Sequence, residues 1–300
     1  MNFETQPIRF FVFFFCLCSG IQALAQEGYV TAAPAAEPSP EPDVKLAISV
    51  GSREQPVRYA ERHLTLPQRT LRIDYAPIDF AQADVGYLNH TRGLRIQRFE
   101  DRSGPPGART DDTAAWTSLG VSYGVFDEFE AGALLLPVLL APDTDFGDMQ
   151  LYGRYRVLEE GDTELAIHFA MQLPTQTDFG FEVGAPLQVR ISPMLRVDAG
   201  AELEFVFFDD TLVNLNLPIA MPISLSEHGF IGPRSALLFV DFDDAVLALG
   251  GFGGYTIADG DKTIGDVMTH FYVNIGGDDV GLPDWELMFA ATFFLDFPES

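Results

Sequence analysis

The stretch L195-R-V-D-A-G-A-E-L-E-F-V-F207 decides the reading. Leu195, Val197, Ala199, Ala201, Leu203, Phe205 and Phe207 alternate with Arg196, Asp198, Gly200, Glu202 and Glu204. In extended chain this puts an apolar row on one face and the charges on the other. The run is longer than the roughly five or six residues of an ordinary soluble strand and reaches the ~9–11 that a tilted membrane strand needs.

The same period of two recurs in F181-E-V-G-A-P-L-Q-V-R-I191, L165-A-I-H-F-A-M-Q-L173, V213-N-L-N-L-P-I-A-M-P-I-S-L225, M149-Q-L-Y-G-R-Y-R-V157 and L287-M-F-A-A-T-F-F-L-D-F297. Runs bounded by turn residues fall near 69–77, 116–125, 129–137, 148–158, 163–173, 180–191, 195–207, 211–225, 230–241, 245–257, 266–276 and 285–297. Several connections are very short, as at Phe126-Asp127-Glu128 and Ser192-Pro193-Met194. The expected fold is all-β: an antiparallel up-and-down transmembrane β-barrel of about 12 strands over residues 69–297. An even strand count puts both chain ends and the Asp127 turn on the periplasmic side, with PDTDFGD (Pro142 to Asp148) and GGDDVGLPD (Gly276 to Asp284) facing outward. The pattern fixes no register over residues 230–257, where Gly250, Gly251, Gly253 and Gly254 are read as a bend or bulge.

Upstream, residues 1–25 read as a secretory signal peptide, with Arg9, an apolar run from Phe10 to Leu17 and a cleavage site after Ala25. Cys16 and Cys18 both lie inside it, so the mature chain is expected to have no cysteine and no disulfide framework. Residues 26–44 are a Pro/Ala/Glu tract expected to be a disordered linker, and residues 45–68 an N-terminal periplasmic segment that is a candidate plug of the lumen. The stretch DRSGPPGARTDD (Asp101 to Asp112) reads as a loop. No later stretch has the ~18 consecutive apolar residues of a membrane helix, so an integral membrane structure has to be a closed sheet. Export to the bacterial outer membrane is the expected destination.

The chain has 300 residues, with 44 acidic against 18 basic and a net charge of −26, which repels phosphate backbones and disfavours nucleic acid as a partner. His63, His90, His168, His228 and His270 show no metal-ligand spacing, and there is no G-x-S-x-G, so neither a metal, a cofactor nor an enzyme is expected. The groups Asp143, Asp145, Asp148 and Asp259, Asp261, Asp266 do not fit a calcium loop and read as solvated loop charge. More informative are the charges on inward rows: Arg72, Arg154, Arg156, Arg190 and Arg196 against Glu130, Glu164, Glu182, Asp198, Glu202, Glu204 and Glu286. Charge on an inner wall has to be paired or wet, which leaves two readings: a lumen filled by its own ion pairs, or a narrow polar conduit whose selectivity these residues tune. Carboxylates outnumber arginines there, so the conduit reading carries an expected weak preference for cations.

The stretches LGVSYGVFDEFEAGALLLP (Leu119 to Pro137) and FGDMQLYGRYRVL (Phe146 to Leu158), with the aromatic final strand, resemble the outer-membrane transporter barrels grouped with phenol-degradation pathway channels. That resemblance implies a channel or transporter for small solutes, hydrophobic or aromatic among them. The final strand also resembles the assembly signal of such barrels, here ending on Phe297 and followed by Pro298, Glu299 and Ser300. Outer-membrane lipid, the barrel-assembly machinery and small solutes are the partners so implied. A structural or adhesion-type barrel with a closed lumen, and a secreted soluble β-sandwich, are the alternatives.

Overall fold

Alternating rows need a sheet whose two faces meet different surroundings, and the chain builds one. The computed structural model describes residues 54–82, 87–91, 94–98, 113–135, 138–141, 145–146, 149–173, 179–207, 211–275 and 285–297. A 3-10 turn at Tyr59–Glu61 is followed by β1 (Thr70–Gln82), β2 (Tyr87–Thr91), β3 (Leu94–Arg98), β4 (Thr113–Phe126), β5 (Phe129–Leu134), β6 (Val138–Ala141), β7 (Asp145–Phe146) and β8 (Met149–Glu160). Then come β9 (Thr163–Leu173), β10 (Gly180–Gly184), β11 (Leu187–Ser192), β12 (Leu195–Ala199), β13 (Glu202–Phe207) and β14 (Thr211–Ala220). The chain ends with β15 (Ile223–Ser224), β16 (Gly229–Val240), β17 (Asp244–Asp259), β18 (Lys262–Ile275) and β19 (Trp285–Asp296).

Seventeen of these segments form one antiparallel sheet, and β1 pairs with β19 on one side and β4 on the other, which closes the sheet into a barrel. The segment count is higher than the about 12 strands expected because the ladder is interrupted inside single traverses of the wall. The breaks fall at residues 185–186 and 221–222, where Pro186 and Pro222 lack the amide a ladder needs, at Gly200-Ala201, and between β5 and β6 and between β7 and β8. Each run read from the sequence nevertheless lies on the wall. The hairpin of β2 and β3 stands outside the ring and was not expected; residues 101–112, 142–144 and 276–284 lie outside the described residues.

Closure removes every sheet edge, and the two faces then differ in the sense opposite to a soluble protein. Ile167, Phe169, Val183, Leu203, Phe271, Phe293 and Leu295 are exposed on the outside, while Glu130, Glu164, Glu286, Asp266 and His168 are buried inside. No helix among the described residues is long and apolar enough to cross a membrane; the strands make the wall.

The 230–257 region, ambiguous in sequence, pairs in one unbroken register from Gly229↔Tyr255 to Val240↔Asp244. Its glycines make no bulge; the irregularity between β17 and β18 lies at Ile257/Ala258. They leave room for rings instead. A Cβ on Gly232 would stand 2.7 Å from the Phe252 ring, one on Gly254 2.6 Å from Phe230, and one on Gly250 2.9 Å from Tyr272. The rings of Phe252, Phe230 and Tyr272 occupy the space that a side chain at these glycines would need.

Candidate functional site: a lumen closed at one end

The short turns, the start of β1 and the end of β19 share one end of the barrel, with Thr70 opposite Asp296. There the chain turns inward instead of leaving. Arg69 takes φ 64°, its amide donates to the Gly124 carbonyl (2.7 Å), and the Phe297 amide donates to the Arg69 carbonyl (3.1 Å). Gly124 is required at this turn: a Cβ would lie 1.9 Å from the Pro67 carbonyl oxygen.

Residues 55–68 run across the lumen, and wall side chains satisfy their backbone. Ser224 Oγ accepts from the Ala60 amide (3.2 Å), Glu164 from the Leu64 amide (2.9 Å), Glu130 from the Leu66 amide (2.9 Å) and Asp127 from the Gln68 amide (2.8 Å). Wall donors reach its carbonyls in turn: Gln188 Nε2 to Arg62 O (2.6 Å), Arg196 Nη1 to Tyr59 O (2.9 Å) and Arg154 Nη1 to Leu64 O (3.1 Å). A non-regular segment in the interior needs such partners for each amide and carbonyl. Its side chains are held as well. Arg62 forms a buried two-armed ion pair with Asp266, and Tyr59 stacks on Phe230 with ring centroids 4.1 Å apart.

Most of the charged residues read as inward-facing meet partners that the sequence did not specify. Glu130, fully buried, stands 3.6 Å from Arg72 and 3.7 Å from Arg154, and Arg72 also pairs with Asp74. Glu164 meets Arg190 and Arg156 on the wall and His63 of the crossing segment (2.7 Å). Arg196 grips Asp198 with Nε at 2.7 Å and Nη2 at 2.7 Å. Further from the crossing segment Glu182 lies 3.3 Å from His168 Nε2, while Glu202 and Glu204 accept from Asn216 and Asn214, each at 2.9 Å. Glu286 is buried on the inner face of β19, and Phe297 follows that strand with an exposed ring.

Two expectations need correction. Asp266 is not solvated loop charge: it is 1% exposed and binds Arg62, although Asp259 and Asp261 beside it are exposed. His63, Glu159 and Glu164 do converge, their ligand atoms within 4.8 Å of one another, a grouping that spacing in sequence cannot show because His63 comes from the crossing segment. Arg156 and Arg190 already neutralise that carboxylate pair, so the chemistry is that of an ion-pair latch between segment and wall. Sequence reading also missed Arg62, Asp74 and Arg234 as interior charges; for Arg62 the only signal was its place in an otherwise unassigned stretch.

Between the crossing segment and the wall is a cavity of about 210 Å³. Among the described residues its lining includes Arg62, Arg72, Arg154, Arg196 and Arg234, with Asp198 and Glu202 as carboxylates. Four of these arginines, Arg62, Arg72, Arg154 and Arg196, are ion-paired with carboxylates of the wall.

Among solved structures, an outer membrane channel from Pseudomonas putida F1 matches with a TM-score of 0.52 at 11% identity, over 77% of this chain and 97% of that one. The fold is that of an outer-membrane β-barrel. A bacterial polysaccharide outer membrane secretin matches with a TM-score of 0.41 at 14% identity, over 76% of this chain and 98% of that one. No family model matches the chain and no curated protein matches it, so the specific resemblance to phenol-pathway channels is not established.

Proposed function

We propose that this protein is an outer-membrane channel for small solutes whose lumen is closed from the periplasmic side by its own residues 55–68. The carrying observation is that the closure is made of polar contacts and one glycine seat, with a chamber above it, and not of a continuous apolar core. A filled scaffold would gain nothing from a separate segment laid across a cavity. Hydrophobic or aromatic solutes belong to the same reading: the inner wall between β16 and β19 carries Phe230, Leu238, Val246, Phe252, Met288 and Phe294 between its polar side chains Asp266, His270 and Glu286. Export through cleavage after Ala25 and folding by the barrel-assembly machinery complete the proposal.

The test is conductance in planar bilayers. Wild type should pass little current, whereas deletion of residues 26–67 and the Gly124→Val substitution, which drives a side chain into Pro67, should each raise it several-fold. Insertion without conductance in all three proteins would leave the closed-lumen scaffold as the correct reading.

A further inference from the structure

Each interior arginine described above has a carboxylate partner except one. Arg62 has Asp266, Arg72 has Asp74 and Glu130, Arg154 has Glu130, Arg156 and Arg190 have Glu164, and Arg196 has Asp198. Among the described residues Arg234 has no carboxylate within ion-pair distance; its guanidinium lies over the Tyr272 ring, 5.3 Å from the centroid. The register explains why. Its lateral neighbours in the sheet are Ala220 on β14 and Gly250 on β17, neither with an acceptor side chain. The next residue in that row, Asp198, lies beyond Ala220 at two strand spacings, about 10 Å, and its carboxylate is held by Arg196.

One flank of Arg234 is apolar. Tyr272, Ala236 and Ala248 form a buried cluster beside it, and Phe252, Met268 and Pro218 line the same cavity. Gly250 is what lets the Tyr272 ring lie beneath the guanidinium. A cation facing a cavity beside such a flank is held by packing but has no counter-charge among the described residues, and the low-dielectric flank strengthens its attraction for an anion that reaches it.

We propose that Arg234 is the head-group site for a small organic carboxylate with an apolar body, the carboxylate meeting the guanidinium and the body lying on the Tyr272–Phe252 side of the cavity. A planar carboxylate matches the guanidinium fork with two parallel hydrogen bonds and carries the single charge that one unmatched arginine can balance. The protein's net charge of −26 repels anions at long range, so affinity for one has to come from this local match. The proposal rests on the chamber of the channel reading and names its ligand class.

Equilibrium binding to the purified full-length protein in non-ionic detergent tests it, with hexanoate and hexanol as probes that share an apolar body and differ in charge. Hexanoate should bind about tenfold or more tighter than hexanol, and Arg234→Gln should remove that difference, as expected for a charged hydrogen-bonded pair. Arg234→Lys should keep part of it. Ala220→Glu supplies an internal carboxylate in the same row and should abolish hexanoate binding without removing the arginine, which keeps the test available if Arg234→Gln does not fold. Equal binding of both probes, or hexanoate binding unchanged in Arg234→Gln or Ala220→Glu, overturns the proposal. Because binding is read without conduction, a barrel that binds hexanoate but never conducts sinks only the channel reading, and one that conducts but does not bind sinks only this one.

Discussion

Leu203 and Glu204 are neighbours in the chain and face opposite media. Leu203 is 37% exposed on the outer wall, while Glu204 accepts a hydrogen bond from Asn214 inside. Leu203→Arg should therefore impair insertion, costing roughly 2–4 kcal/mol at mid-membrane depth, whereas Glu204→Ala should leave the barrel folded. Heat-modifiable gel migration reads both, and equal behaviour of the two variants would contradict the assigned faces. Glu164 is the other residue whose neighbours decide its effect. Its carboxylate accepts from the Leu64 amide and pairs with His63, Arg156 and Arg190, so Glu164→Gln weakens the hold of the wall on the segment and takes from Arg190 its carboxylate, while Arg156 keeps Glu159. Faster proteolysis within residues 54–68, with the barrel itself still protease-resistant, is the expected result.

At the scale of elements, the crossing segment behaves unlike the strands. A strand in the wall exchanges backbone hydrogen bonds with its neighbours, whereas residues 55–68, apart from the turn at Tyr59–Glu61, take many of theirs from the side chains of Glu130, Glu164, Gln188, Arg154 and Arg196. Such contacts can be exchanged for water one at a time, so the segment is the least cooperative part of the described structure. Hydrogen exchange should show amides 60, 64 and 66 losing protection well before those of β17 and β18, whose ladder runs from Leu247↔Ile275 to Asp259↔Lys262. Matching rates in the two sets would mean that the segment and the wall open as one unit. The rings on the inner face of β16 to β18 belong to this scale too, since Gly232, Gly250 and Gly254 make room for Phe252, Tyr272 and Phe230 on the neighbouring strands.

For the whole molecule, the inverted distribution of polar and apolar residues requires a bilayer around the wall. Detergent-free purification as a soluble monomer is incompatible with an outer face carrying Ile167, Phe169, Phe271 and Phe289 at or near half exposure. Maturation belongs here as well. Protein recovered from outer membranes should begin at Gln26, and amino-terminal sequencing that found Cys16 or Cys18 would overturn both the leader and the cysteine-free mature chain.

The sequence by itself determined the faces. A period of two places alternate residues on opposite sides of any extended chain whatever it pairs with, so Leu203 out and Glu202 in, and with them the barrel, were legible from residues 195–207 alone. It did not determine β16 and β17, because Phe230, Ala236 and Leu238 face inward while Ile231, Leu237 and Phe239 face outward, and two apolar faces leave no contrast to read. Only the tertiary structure decided the pairings: that Arg62 finds Asp266 204 residues away, that His63 meets Glu164, and that Arg234 finds no carboxylate among the described residues. The physical reason is that a side chain's face is set by its own strand, whereas its partner is set by the register of strands beside it and by a segment that crosses the closed ring, and neither is encoded within reach along the chain.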